Sequence, residues 1–81
     1  MFSIIGWISG YYELESYGEN GALISFTVSF YWGSELMYEV FDMEFDNIGN
    51  CPHIGEKVEL SITPDLANDR LIINFERWLW P

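Results

Sequence analysis

Basic residues are scarce in this sequence, which has three Lys and Arg against thirteen Asp and Glu in 81 residues, a formal net charge of −10. Binding to nucleic-acid phosphates or to anionic lipid headgroups depends on Lys and Arg. The composition therefore argues against a nucleic-acid or membrane ligand, and a charged partner would be a basic protein. The alternative is that the acidity only keeps an aromatic-rich chain in solution.

Cysteine is scarcer still, because Cys51 is the only one and no internal disulfide can form. The sequence has no Asn-x-Ser/Thr site, and its first residues, MFSIIGWISGYY, include no basic residue. Its apolar runs are far shorter than the roughly 18 residues of a membrane span. These absences predict a cytoplasmic protein.

Side chains suited to nucleophilic catalysis or zinc binding are equally few. His53 is the only histidine, and with Cys51 it forms the only Cys–His combination. Chance explains the occurrence of two such residues in one loop better than a catalytic role does. A zinc site takes four ligands of mostly Cys and His character, so these two cannot complete one. We predict no metal site and no cofactor, with a calcium site built from the many carboxylates as the alternative.

Carboxylate pairs could in principle act as an acid and a base. By strand parity Glu13 shares a face with Glu15, and Asp42 shares a face with Glu44. A solvated strand face explains both pairs more simply, since a chain of this size leaves little room for a deep substrate cleft. The prediction is that the chain is not an enzyme.

Alternating apolar and polar residues dominate the rest of the sequence, as in strands with one buried face. The pattern predicts strands over about 2–14, 22–32, 35–46, 57–62 and 70–80. Strands 1–3 would form a meander and strands 4–5 a hairpin, so that residues 1–81 make one all-β domain, a small antiparallel five-stranded barrel of OB-like or SH3-like type. Gly6 and Gly10 mark bends by which the first strand curls.

The register of the second and third strands follows from Gly33-Ser34, which suits a two-residue hairpin turn. Facing residue numbers then sum to 67, so that Phe26 lies opposite Phe41 and the two apolar alternations coincide. A competing interpretation is a helix over 34–46 with Ser34 as its N-cap.

Three segments, NGALISF, YEVFDMEF and HIGEKVELSI, resemble the strands of cold-shock domains in content and spacing. The resemblance implies an OB-like barrel. It does not imply nucleic-acid binding, because that family stacks bases on exposed aromatics set among lysines. The corresponding outward positions here hold Ser25, Thr27, Asp42 and Glu44.

Several aromatic residues fall on outward strand positions, where a monomer rarely exposes so many. Exposed Trp and Tyr dominate the energetics of protein interfaces, while surrounding charge steers an oppositely charged partner. We predict a partner-binding surface that combines acidic and aromatic residues: Asp42, Glu44, Asp46, Tyr38, Trp7, Tyr11, Trp78 and Trp80.

Together these features predict a small acidic inhibitor, an immunity protein that neutralises a basic, nuclease-type toxin by masking its cationic surface. One alternative is a phage-type anti-defence protein that mimics DNA, although carboxylates about 6.7 Å apart on a strand match only every second phosphate. Another is a homo-oligomeric structural or ligand-binding β-barrel, in which the outward aromatics pack against a second copy in a homodimer.

Overall fold

The computed structural model describes residues 1–79, which form five antiparallel strands in one curled sheet. The strands are β1 (Phe2–Tyr17), β2 (Gly21–Trp32), β3 (Glu35–Phe45), β4 (Lys57–Asp65) and β5 (Arg70–Trp78). Their order in the sheet is β3-β2-β1-β4-β5, so that β1 is central and β3 and β5 are the edges. The curled sheet makes a half-barrel, which confirms the predicted all-β, barrel-like fold and its meander followed by a hairpin.

The β2–β3 hairpin has the register that the sequence predicts. Pairing runs without a shift from Trp32 opposite Glu35 to Ala22 opposite Phe45. Gly33 has a φ of 65°, whereas Ser34 does not have a positive φ, as expected for a type II′ turn. The alternative of a helix over 34–46 is wrong.

The hydrophobic core lies on the concave, inner face of the sheet. Its buried members are Ile8, Ala22, Ile24, Phe26, Val28, Phe30, Val58, Leu60 and Ile62. The ring of Phe26 lies 5.6 Å from those of both Phe45 and Trp78. Across the open side of the half-barrel, the rings of Phe41 on β3 and Phe75 on β5 are 5.8 Å apart. Aromatic contacts thus hold the two edges of the curled sheet towards each other.

Two bulges in β1 exchange its faces, which the sequence did not predict. The register with β2 shifts between Ile8 and Gly10 and again between Glu13 and Glu15. Tyr12, predicted inward, therefore lies opposite Ser25 on the outer face and is 64% exposed. Leu14, also predicted inward, falls within the second shift and is exposed.

The first bulge has the opposite effect on Tyr11. This residue was predicted to face outward, but it pairs with the core residue Phe26, and their ring centroids are 6.0 Å apart. The outward prediction for Tyr11 is therefore wrong. Gly10, predicted to mark a bend, lies at this bulge, whose local twist re-aims the side chains that follow.

A third irregularity, in the β4–β5 pair, turns Trp78 inward. Glu59 lies opposite Arg77, but the next pair is Leu60 with Phe75, so that one residue of β5 is skipped. Trp78 then pairs with Val58 and packs against Phe75 with ring centroids 4.6 Å apart. The prediction that Trp78 faces outward is wrong for this reason.

The segment between β3 and β4 docks on β1 through main-chain hydrogen bonds. The Ile8 N–H donates to the Glu56 carbonyl at 2.9 Å, and the Gly55 N–H donates to the Ile8 carbonyl at 2.8 Å. A short 3-10 turn, Ile48–Asn50, is the one helical element within residues 1–79. Accordingly, the described part of the chain contains no helix that is long and apolar enough to cross a membrane.

Candidate protein-binding surface

The convex, outer face of β1, β2 and β3 carries four of the eight residues that the sequence suggested for binding. Antiparallel pairing aligns side chains on this face in rows that cross the three strands. Three such rows, each running from β1 through β2 to β3, form what we call the outer patch: Trp7, Ser29 and Tyr38; Tyr12, Ser25 and Asp42; Glu15, Leu23 and Glu44.

One end of the outer patch is aromatic and apolar. The indole of Trp7 lies 5.7 Å from the ring of Tyr31 in a tilted arrangement. Tyr38 is 70% exposed and Tyr31 is 54% exposed, and the neighbouring side chains of Leu36 and Val40 are exposed as well. Large apolar surface of this kind on a small domain marks a site of interaction.

Short polar side chains fix the backbone below the aromatic end. The hydroxyl of Ser29 donates to the hydroxyl of Ser9 at 2.7 Å, and that of Ser9 donates to the carbonyl oxygen of Thr27 at 3.2 Å. These bonds join β1 to β2 beside the first bulge. The aromatic side chains therefore project from a cross-linked and preorganised sheet.

The other end of the outer patch is acidic. Asp42 and Glu44 alternate along β3, and Glu15 lies two strands away in the same row as Glu44. The Tyr17 hydroxyl donates to Glu15 Oε2 at 3.0 Å. This hydrogen bond raises the pKa of Tyr17 above its usual value, and desolvation and the charges of Glu15 and Glu44 raise it further. Glu15 and Glu44, from two different strands, thus both act on the Tyr17 hydroxyl.

No cation within residues 1–79 forms an ion pair with a carboxylate of the outer patch. Both ion pairs in that part of the chain involve arginines of β5. Arg70 Nε lies 3.2 Å from Asp65 Oδ2, and Arg77 Nε lies 2.9 Å from Glu59 Oε1. The negative charge of the outer patch is thus not compensated within residues 1–79, whereas the β4–β5 side pairs both of its arginines with carboxylates.

The structure brings together half of the predicted binding residues. Those that share the outer patch are Trp7, Tyr38, Asp42 and Glu44. Asp46 is exposed immediately after β3 ends. Tyr11 and Trp78 lie on the inner face, and Trp80 lies outside the described residues.

The predicted binding residues did not include three that lie at or beside the acidic end, namely Tyr12, Glu15 and Tyr17. Of these, Tyr12 was assigned to the wrong face, because the first bulge of β1 turns it outward, whereas the second bulge restores the original parity at Glu15. The signal that could have placed Tyr12 is Gly10, because a glycine inside a strand often marks a bulge.

A small cavity of about 180 Å³ lies on the inner side, beneath the loop before β4. Its lining consists of Tyr11, Glu13, Ile24, Ile48, Cys51, Pro52 and His53. Burial raises the pKa of the Cys51 thiol, and the charge of Glu13 raises it further. A thiol in these surroundings stays protonated at neutral pH and is a poor nucleophile.

The structure also separates the two carboxylates of β1 that could have formed an acid–base pair. The first bulge places Glu13 opposite Ile24 on the inner face, and the second returns Glu15 to the outer face, opposite Leu23, so the predicted common face for these carboxylates is wrong. Among residues 1–79, no three His, Cys, Asp or Glu side chains are grouped closely enough to hold a metal ion.

No family model matches this chain, and no curated protein and no solved structure matches it. The likeness to cold-shock domains therefore consists of the residue pattern and a barrel-like fold.

Proposed function

We propose that this chain is an inhibitor that acts by direct contact with a basic protein, in the manner of an immunity protein that masks the cationic surface of a nuclease-type toxin. The observation that carries the proposal is the outer patch, where exposed Tyr side chains and the half-buried Trp7 lie beside carboxylates without an ion pair within residues 1–79. The carboxylates accelerate encounter with a basic surface, and the aromatics supply the contact energy that slows dissociation.

The division of the outer patch into two ends favours a protein partner over DNA mimicry. A mimic of the phosphate backbone requires regularly spaced negative charge, but the row of Trp7, Ser29 and Tyr38 has none. Aromatic and apolar side chains next to an acidic rim are instead the composition of a protein interface.

A growth-rescue experiment tests the proposal, with the chain co-expressed beside a toxic basic nuclease encoded by a neighbouring gene. We expect rescue by the wild type and loss of rescue by Asp42→Asn combined with Glu44→Gln. The matched control is Asp69→Asn combined with Glu76→Gln, which removes the same charge from the β4–β5 side and should rescue fully.

The control substitutions suit their local structure. Asp69 has a φ of 51°, a conformation that Asn also tolerates. Glu76 accepts a hydrogen bond from the Ser61 hydroxyl at 3.3 Å, and a glutamine amide oxygen can replace it. Equal loss of rescue by both double variants would show that only total charge matters and would contradict the outer patch as the binding surface.

Size-exclusion chromatography with light scattering distinguishes the homo-oligomer alternative. A monomer at micromolar concentration is expected, because copies with a net charge of −10 repel one another. A stable dimer that Tyr38→Ala dissociates would assign the aromatic end to self-association instead.

A further inference from the structure

The free edge of β3 offers an unpaired ladder of main-chain groups. Within residues 1–79, β3 has β2 as its only strand neighbour. In a two-residue hairpin the residues that flank the turn, here Trp32 and Glu35, form a hydrogen-bonded pair, and such pairs alternate along the ladder. The N–H and C=O groups directed away from β2 therefore belong to Leu36, Tyr38, Val40, Asp42 and Glu44.

Apolar side chains line the inner side of this edge. Met37, Phe41 and Met43 alternate along β3, face the core and are only half-buried. They are incompletely covered because the half-barrel is open between β3 and β5. An added strand would continue the core over them.

Charge determines what kind of strand fits the edge. Asp42 and Glu44 border it on the outer face, and Glu39 points to the inner side, where it lies opposite the buried Val28. An inward-pointing charge on an edge strand opposes pairing with an ordinary apolar strand. A strand that carries a basic residue opposite Glu39 would remove this obstacle.

We infer that the basic partner docks by adding an extended segment to β3 as a sixth strand of the sheet. Main-chain hydrogen bonds to the five free positions supply affinity. Apolar side chains of the segment cover Met37, Phe41 and Met43, while Lys or Arg side chains pair with Glu39, Asp42 and Glu44. The inference names a docking mode for the proposed function and in that respect rests on it.

A second copy of this chain fits the edge poorly. Each β3 would bring Glu35, Glu39, Asp42 and Glu44 to the shared seam without a single cation. The arginines of β5, which could complement β3 in a head-to-tail array, are already ion-paired. Charge complementarity therefore favours a basic segment over self-assembly.

A designed peptide tests this docking mode without the natural partner. The acetylated nonapeptide amide Ile-Lys-Val-Lys-Val-Thr-Lys-Thr-Leu, antiparallel to β3 with its first residue opposite Phe45, places lysines opposite Glu44, Asp42 and Glu39. Its even-numbered residues direct their N–H groups to β3.

N-methylation of the fourth and sixth residues should weaken binding about tenfold or more, since two main-chain bonds are lost. N-methylation of the fifth and seventh residues, whose N–H groups point away, is the matched control and should preserve binding.

Amide hydrogen exchange locates the bound peptide on the sheet. We expect the peptide to slow exchange at Tyr38, Val40, Asp42 and Glu44, which lie opposite its even-numbered residues, with no protection along β5. Equal binding by the two N-methylated peptides would overturn strand addition and leave a purely electrostatic contact. Absence of any binding by the unmodified peptide would also overturn it. Neither result bears on growth rescue, which tests the proposed function separately.

Discussion

The two edge strands of the sheet differ in how they handle charge. β3 carries Glu35, Glu39, Asp42 and Glu44 without a basic residue, and none of these carboxylates is ion-paired within residues 1–79. β5 carries Arg70 and Arg77, each held by a carboxylate of β4. Both strands leave main-chain groups open, but within residues 1–79 β3 carries four carboxylates without an ion pair, whereas β5 carries one, Glu76, beside its two paired arginines. We interpret the β3 edge as the one that attracts a basic partner.

The strongest expected effect concerns how firmly each edge is attached to the core. Phe75 on β5 contacts both Trp78 and Phe41, whereas the ring of Phe41 on β3 has, among residues 1–79, its one aromatic contact with Phe75. We expect Phe75→Ala to lower the free energy of unfolding by about 3 kcal/mol and Phe41→Ala by about 2 kcal/mol, less than for fully buried rings because both are half-buried. Urea denaturation followed by circular dichroism measures both. A larger loss for Phe41→Ala would reverse this ranking of the edges.

A second expected effect concerns self-association at β3. Glu39→Val removes the inward-pointing charge and should cause concentration-dependent association, because the edge then presents an uninterrupted apolar inner row. Glu19→Val is the matched control, since it makes the same change in the exposed turn between β1 and β2. Sedimentation velocity over a concentration series gives the result. Identical behaviour of the two variants would mean that Glu39 does not protect the edge.

The smallest expected effect is the pH response of the β5 side. Hydrogen bonds from Ser3 and from Arg77 lower the pKa of Glu59. A carboxyl group with a lowered folded-state pKa stabilises the fold fully above its unfolded pKa of about 4.3 and loses that contribution as the pH falls through the folded value. The melting temperature of the wild type should therefore fall as the pH drops below about 4.3. Glu59→Gln should reduce the slope of melting temperature against pH in this range. An unchanged slope would show that this pair contributes nothing to stability.

The β2–β3 hairpin could be predicted residue by residue because its turn and its two alternations each specify the same register. Gly33-Ser34 fixes the pairing, and a slip of one residue would turn Phe26 and Phe41 out of the core. Asp42 and Glu44 were placed on the correct face for this reason. Their position beside Tyr38 follows from the same parity.

Face assignments failed where a strand contains an extra residue. Tyr11 and Tyr12 exchange faces after the first bulge of β1, and Trp78 turns inward after the irregularity opposite Glu59. Sequence alternation counts residues and cannot register an insertion into one strand that its partner lacks. Glu15 kept the outward face that parity assigned to it, because the two bulges of β1 cancel, but its place in the row of Glu44 depends on the shifted register between β1 and β2.

The most direct test of the account is the association rate of the chain with its purified basic partner at low and at high salt, measured by stopped flow. The double variant Asp42→Asn with Glu44→Gln should associate more slowly than the wild type and respond less to salt, whereas Asp69→Asn with Glu76→Gln should match the wild type. Tyr38→Ala should chiefly speed dissociation. Association that is indifferent to salt, or that slows equally in both double variants, would contradict the claim that the uncompensated carboxylates beside β3 guide a basic partner to this surface.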